Sequence, residues 1–253
     1  MGKKIGTHNY RLVLKYDGTH FKGMQSQPDT RTVQQVLEDA LHSIFGIRFT
    51  LYSSGRTDAG VHAQGQVVNF FMDEEIDPQE LLGKLNSILP DDVSVLEAGE
   101  APLDFHSRYS AVSKTYIYTI LRQRKPRTGY RTDVYYWGGP LDVDKMRRAA
   151  ACLIGTSDFS SFGCNPRYNV KEKVKTIIKL DIAENGDYIR IAIKGSGFLY
   201  KMVRSIVGTL LWVGTGKIPP NKMQDILEAC DRTKAGPAAA ASGLCLMGVD
   251  YPE

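Results

Sequence analysis

Cysteine is scarce, four in 253 residues, and Cys152, Cys164, Cys230 and Cys245 form no Cys-x-x-Cys pair and stand near no clustered histidine. That spacing excludes a zinc finger or a disulfide framework, so no metal is expected, and it points to free thiols in a reducing compartment. Long apolar runs are lacking too. The longest, near 206–213, falls far short of the roughly 20 residues a membrane-spanning helix needs. The opening Met1-Gly2-Lys3-Lys4 passes into polar and apolar alternation by Tyr10 without the apolar core of a signal peptide. A cytoplasmic protein with no membrane partner is expected. No Gly-x-x-x-x-Gly-Lys-Ser/Thr loop and no nucleophile elbow with a Ser-His pair occurs, which sets aside most nucleotide-driven and serine-hydrolase designs. Neither sign of charge dominates: 32 Lys and Arg against 28 Asp and Glu permit an anionic partner without requiring one.

What is present is a repeated order of elements. Tyr10, Leu12, Leu14 and Tyr16 alternate with polar neighbours and predict a half-buried strand ending at Asp17-Gly18. Thr32 and Gln35 form a capping-box pattern ahead of a stripe of Val33, Val36, Leu37, Ala40, Leu41, Ile44 and Phe45, which stops at Gly46. Phe49 to Tyr52 and Gln66 to Phe71 read as strands. Asp77-Pro78 opens a helix with Leu81, Leu82, Leu85, Ile88 and Leu89 as its apolar face, and a strand runs through Val93, Val95 and Ala98. This is the β-α-β-β-α-β order of a split βαβ, ferredoxin-like unit. From Ser113 the order repeats. A strand through Tyr116, Tyr118 and Ile120 precedes a helix from Asp142 to Leu153. A hairpin turns at Asn185-Gly186, a long helix covers about 198–213, a short one 221–230, and a last strand 244–250. The expected fold class is α+β: two ferredoxin-like halves, 1–105 and 106–253, forming a joined sheet with helices on one face and a central cleft.

Between two of these strands lies Ser53-Ser54-Gly55-Arg56-Thr57-Asp58-Ala59-Gly60-Val61-His62-Ala63, one carboxylate among small residues and glycines. An Asx-turn would account for such an aspartate; so would a site, because loops held by rigid strands carry binding and catalytic groups. His62 reads as a packing residue, with no orienting partner in sequence. Arg204 stands on an otherwise apolar helix, either on a solvated edge or paired with a buried carboxylate. Tyr116 and Tyr118 share one strand face, the pattern of core. Arg122, Arg124, Lys125, Arg127 and Arg131 make a basic loop around Tyr130, and Lys171, Lys173 and Lys175 a second basic segment. Both read as solvated loops or as phosphate contacts.

Several segments together resemble the tRNA pseudouridine synthase A family in its bacterial form. They are Tyr16-Asp17-Gly18-Thr19 with Phe21, Gly23, Gln25 and Gln27; Gly55 to His62; Phe105-His106-Ser107-Arg108; Lys114-Thr115-Tyr116-Ile117-Tyr118; 158–162; Phe198 to Gly208; and Gly243-Leu244-Cys245-Leu246. They follow the family's order along nearly the whole chain. The stretch Gly236-Pro237-Ala238-Ala239-Ala240-Ala241 departs, where the family usually has a Thr and a Pro among the alanines. The resemblance implies an isomerase that converts uridine to pseudouridine at positions 38, 39 and 40 of the tRNA anticodon stem-loop, acting as a homodimer without cofactor or metal. It implies Asp58 as the essential carboxylate, attacking C1′ or removing a C2′ proton, and Arg204 as its ion-pair partner. It also implies Tyr116 as the aromatic that stacks on the target base. Arg56 is the choice for gripping the target phosphate or helping the nucleotide flip out. Aspartate titrates near 3.9 in peptides, so such a carboxylate needs aiming and desolvating more than activation. The rivals are a catalytically silent RNA-binding module, which would show RNP-type aromatic strands that this sequence lacks, and an Asp-dependent hydrolase releasing uracil.

Overall fold

The structure, a computed structural model, describes residues 6–164 and 173–252; Lys171 of the second basic segment lies outside them. The chain packs as two compact units, residues 1–112 with 246–253, and residues 113–245. Among the described residues no helix is long and apolar enough to cross a membrane.

The first unit begins with β1 (His8–Tyr16) and continues through α1 (Val33–Phe45), β2 (Tyr52–Ser53), β3 (His62–Met72), α2 (Pro78–Ile88) and β4 (Val93–Ala101). Antiparallel β1 sits between β4 and β3, and short β2 pairs with β3 through Tyr52 opposite Asn69, so the order is β4-β1-β3-β2. That is the ferredoxin-like arrangement expected from the element order. α1 is capped as its sequence dictates at both ends. Thr32 accepts the Gln35 amide, and Gly46 closes the helix at φ 73°, a left-handed conformation cheap only for glycine. The capping box is half made, because the Gln35 side chain bonds Asp39 and Ser26 instead. Leu37, Leu41, Leu81 and Leu85 from the two helices are completely buried, each worth about 1.5–3 kcal/mol of apolar transfer.

Three local expectations are corrected. Phe49 and Leu51 are buried but make no ladder; only Tyr52 and Ser53 are strand, while Phe49 packs edge-on against Phe45 and Phe70. Ile88 is 47% exposed, because the helix ends there and extended Leu89 adds no further turn to cover it. The outer face of β1 is largely covered up to Val13, and only Lys15 on it is exposed. Asn9 is fully buried, giving its amide to the carbonyls of Pro102 and Phe105, and Arg11 lies 5.7 Å from the Tyr251 ring centroid.

The second unit holds β5 (Ser113–Leu121), β6 (Tyr135–Tyr136), α3 (Val143–Ala151), β7 (Gly155–Asp158), β8 (Val174–Asn185), β9 (Tyr188–Gly195), α4 (Met202–Gly214) and α5 (Lys222–Glu228), with the first residues of β10 (Leu244–Asp250). Antiparallel β5, β9, β8 and β7 lie in that order, and β6 runs parallel to β5. The β8–β9 hairpin forms as expected, but Asn185 is its last paired residue, opposite Tyr188, and Gly186 at φ 57° takes the first turn position. α4 starts at Met202 rather than 198, since Lys201 adopts a left-handed φ of 60° just before it. Almost all of α4 is buried, not one face only, as befits a helix apolar nearly all round.

Candidate active site

In the first unit Asp58 stands half-buried in the loop 54–61, whose residues are tied down on both sides of it. Ser54 donates its amide to Val67 and its hydroxyl to Gln66, and the Gln66 amide returns to Gly55 O at 2.7 Å. Thr57 is held twice, its carbonyl by the Met24 amide at 3.1 Å and its hydroxyl by the Tyr16 phenol at 2.8 Å. Gly60 N reaches Phe21 O, and Val61 N reaches the carbonyl of Asp58 itself. The segment 16–25 therefore acts as a bracket around the loop. Gly23 in that bracket has φ +105°, and a Cβ there would lie 2.7 Å from Thr57 O, so both conformation and closeness require glycine. This is the physical content of the spacing of Tyr16, Gly18, Phe21 and Gly23.

His62 is a buried packing residue, 5% exposed, and it does have partners. Its Nδ1 lies 3.2 Å from Gly18 N and 3.1 Å from Asp17 Oδ1. One nitrogen cannot accept from the amide and donate to the carboxylate together. Without a hydrogen Nδ1 accepts from Gly18, and with one it donates to Asp17. Burial pushes the Asp17 carboxyl up, but bonds from the Thr19 hydroxyl and amide and the charges of His62 and His20 hold it below the usual carboxylate range.

Arg56 is exposed on the same loop. Among the described residues it has no ion-pair partner, so its charge is open to a ligand.

In the second unit Arg204 leaves the first turn of α4 and is fixed reciprocally to the turn 236–240. Its Nε donates to Ala239 O at 2.7 Å while the Ala239 amide donates to Arg204 O at 2.9 Å. The same turn receives the Tyr118 hydroxyl at Ala240 O, 2.9 Å away, and gives the Gly236 amide to Thr209 Oγ1. A Cβ on Gly208 would stand 1.7 Å from Pro237 O, so the turn lies directly on the helix at a residue with no side chain. The alanine-rich departure from the family pattern thus keeps a defined geometry through backbone groups alone. Tyr118 is fully buried and its hydroxyl is pushed well above the usual range, chiefly by that burial. Tyr116, two residues earlier on the same face of β5, is 9% exposed, with the Phe198 ring 5.4 Å away and edge-on at 86°.

The basic loop divides into two groups. Arg122 pairs with Glu184 at 3.0 Å and donates to Gly186 O. Arg131 grips Asp133 with two nitrogens at 2.9 and 2.6 Å, which raises its pKa further. These two charges are largely spent inside the unit. Arg124, Lys125 and Arg127 are exposed, with the Lys125 ammonium 3.7 Å from the Tyr130 ring centroid. Among the described residues, no three or more His, Cys, Asp or Glu side chains are grouped so as to hold a metal ion.

Sequence reasoning missed Tyr16, Thr57 and the buried amides Asn9 and Asn69. Asn9 sits on the polar side of the β1 alternation, so its burial left no signal in the sequence.

Comparison with known proteins follows the same segments. The family described as tRNA pseudouridine synthase matches residues 12–110 and 149–252. Proteins named tRNA pseudouridine synthase A are similar over nearly their full length. That of Bacillus subtilis (strain 168) is 45% identical over 243 residues, 95% of this chain and 98% of its own. That of Clostridium acetobutylicum is 43% identical, and that of Thermoanaerobacter sp. (strain X514) 42%, each over 96% of this chain and 99% of its own. A crystal structure of a Cbf5-Nop10-Gar1 complex aligns over 93% of this chain and 57% of its own at 10% identity and a TM-score of 0.38, too distant to bear on the site.

Proposed function

The chain belongs to the tRNA pseudouridine synthase family, and from that premise we propose that it isomerises uridines 38, 39 and 40 of the tRNA anticodon stem-loop, with Asp58 as the catalytic carboxylate. The observation that carries this reading is the bracketed loop. Thr57, Gly60 and Val61 are each held by backbone or side-chain bonds, which fixes the backbone that carries the one carboxylate between them before substrate arrives.

In the reaction the C1′–N1 bond of uridine breaks, the detached ring turns, and C5 bonds to C1′ while the C5 proton departs and N1 gains one, so the product is an isomer. Asp58 attacks C1′ or removes a C2′ proton; either route needs its anion. Arg204 is the residue we assign to pair with that carboxylate, its guanidinium preset by Ala239. Tyr116 is assigned to stack on the base, worth about 1–3 kcal/mol. Its small exposure means that a neighbouring side chain swings aside as the base enters. Arg56 takes the target phosphate or fills the stack the nucleotide leaves, and Arg124, Lys125 and Arg127 meet phosphates further along. The enzyme works in the cytoplasm as a homodimer, needing neither cofactor nor metal.

The test is Asp58→Asn, purified free of host enzyme. The amide keeps size and hydrogen-bonding shape but can neither attack nor take a proton. Single-turnover assays on unmodified tRNA should show no pseudouridine by chemical mapping, while filter binding stays within about tenfold, or about 1.4 kcal/mol. Sustained isomerisation removes Asp58 from the chemistry, and release of free uracil by the wild type would make the protein a hydrolase.

A further inference from the structure

An aromatic step stands in the first unit outside the Asp58 loop. Tyr52 meets His106 at a ring separation of 4.9 Å, His106 meets Tyr109 at 4.4 Å, and the Arg108 guanidinium lies 5.7 Å from the Tyr109 centroid. Tyr109 is 77% exposed, the most open large hydrophobic side chain among the described residues. A tyrosine ring left in water forfeits the burial that usually settles it. The turn that carries it is held by hydrogen bonds.

The support is a buried polar network. Ser107, fully buried, gives its amide to Asn69 Oδ1 and its hydroxyl to Tyr52 O at 2.6 Å, while Asn69 donates to Asn9 and Tyr251 donates to Ser107 O. His106 Nδ1 faces the amides of Arg108 at 3.0 Å and Tyr109 at 3.4 Å, and Ser110 Oγ takes the His106 amide. Burial, then the Arg108 charge, holds the imidazole pKa below its usual value, so Nδ1 stays an acceptor at neutral pH and the turn keeps its shape. The backbone under Tyr109 is thus preorganised, and its ring rests against His106.

We propose that Tyr109, backed by His106 and flanked by Arg108, is a second nucleotide-stacking platform that binds an unpaired or splayed base of the tRNA and its phosphate away from the target uridine. A flat ring beside a guanidinium is the pairing that single-stranded nucleic acid selects, π-face for base and cation for phosphate. Tyr52 also lies on the strand that leads into the Asp58 loop, six residues earlier, so its Cα is within about 21 Å of that of Asp58. That distance keeps the step within reach of the RNA segment engaged at the carboxylate. Leu103 and Val112 are exposed as well; they carry no charge, and a protein partner would be the occupant they favour.

The inference rests on the tRNA reading above, and its test separates the two. Wild type, Tyr109→Ala, Tyr109→Phe and Arg108→Ala are compared for tRNA affinity across salt, single-turnover rate, melting temperature and sedimentation. Tyr109→Ala should weaken tRNA binding about 5- to 150-fold with its salt slope unchanged, because stacking releases no counterions. Tyr109→Phe should bind within about twofold of wild type, and Arg108→Ala should flatten the slope by about 0.7 to 0.9. Melting temperatures should stay level, since the ring buries little. If wild type isomerises tRNA and Tyr109→Ala binds it equally well, the platform is refuted and the enzyme reading stands. If Tyr109→Ala instead changes the sedimenting species, the face is a protein interface and the platform is again refuted. Failure of wild type to bind tRNA would overturn the reading beneath it.

Discussion

Tyr16 and Thr57 share a buried hydroxyl-to-hydroxyl bond of 2.8 Å, which joins the end of β1 to the residue preceding Asp58. Tyr16 is 3% and Thr57 7% exposed, so the bond is shielded from solvent. Tyr16→Phe and Thr57→Val should each cost about 0.5–1.5 kcal/mol, the net worth of one hydrogen bond, and the double variant should cost less than their sum. Single-turnover rates should fall in both while tRNA affinity holds, with Thr57→Ser restoring most of the rate. Additive melting shifts with unaltered rates would show that the bond does not position the loop.

Arg204→Lys keeps a charge but loses the nitrogen that bonds Ala239 O at 2.7 Å and the planar fork that meets a carboxylate with two parallel bonds. The variant should fold, because the Ala239 amide still reaches the Arg204 carbonyl. Its isomerisation rate should drop by at least 100-fold, or about 2.7 kcal/mol. A rate within a few-fold of normal would free Arg204 from any role beside Asp58.

The basic loop should respond in two ways. Alanine at Arg124, Lys125 and Arg127 should flatten the salt dependence of tRNA binding by roughly 0.7 to 0.9 per lost contact. Alanine at Arg122 should act on the β8–β9 hairpin instead, and alanine at Arg131 on its own loop, since their charges are engaged by Glu184 and Asp133. Equal slope changes at all five positions would contradict this division.

Acid should loosen the bracket around the loop through Asp17. Its folded pKa lies below the ordinary value of 3.8. The stabilisation it supplies is therefore complete above that value and is lost as pH falls through the lower folded one. Melting curves from about pH 7 to about pH 2 should show Asp17→Asn less stable than wild type at neutral pH, with the two converging in acid. A gap that persists unchanged to the lowest pH would mean that the carboxylate's charge is not what Thr19 and His62 recognise.

Sequence alone determined the α+β class, the βαββαβ order, the caps at Thr32 and Asp77, the last strand and the loop carrying Asp58, because each is written in local periodicity, a capping residue or a short motif. It did not reveal β7, whose Gly-Thr-Ser-Asp has no apolar alternation, nor the late start of α4, set by one left-handed residue at Lys201. It also left unread the burial of Asn9 on a face that looked solvated. Tertiary structure decided those, together with every bond between distant segments. Tyr16 finds Thr57 across 41 positions and Arg204 finds Ala239 across 35. Such pairings depend on which backbones the sheet and helices bring within about 3 Å, and no pattern of neighbouring residues records that.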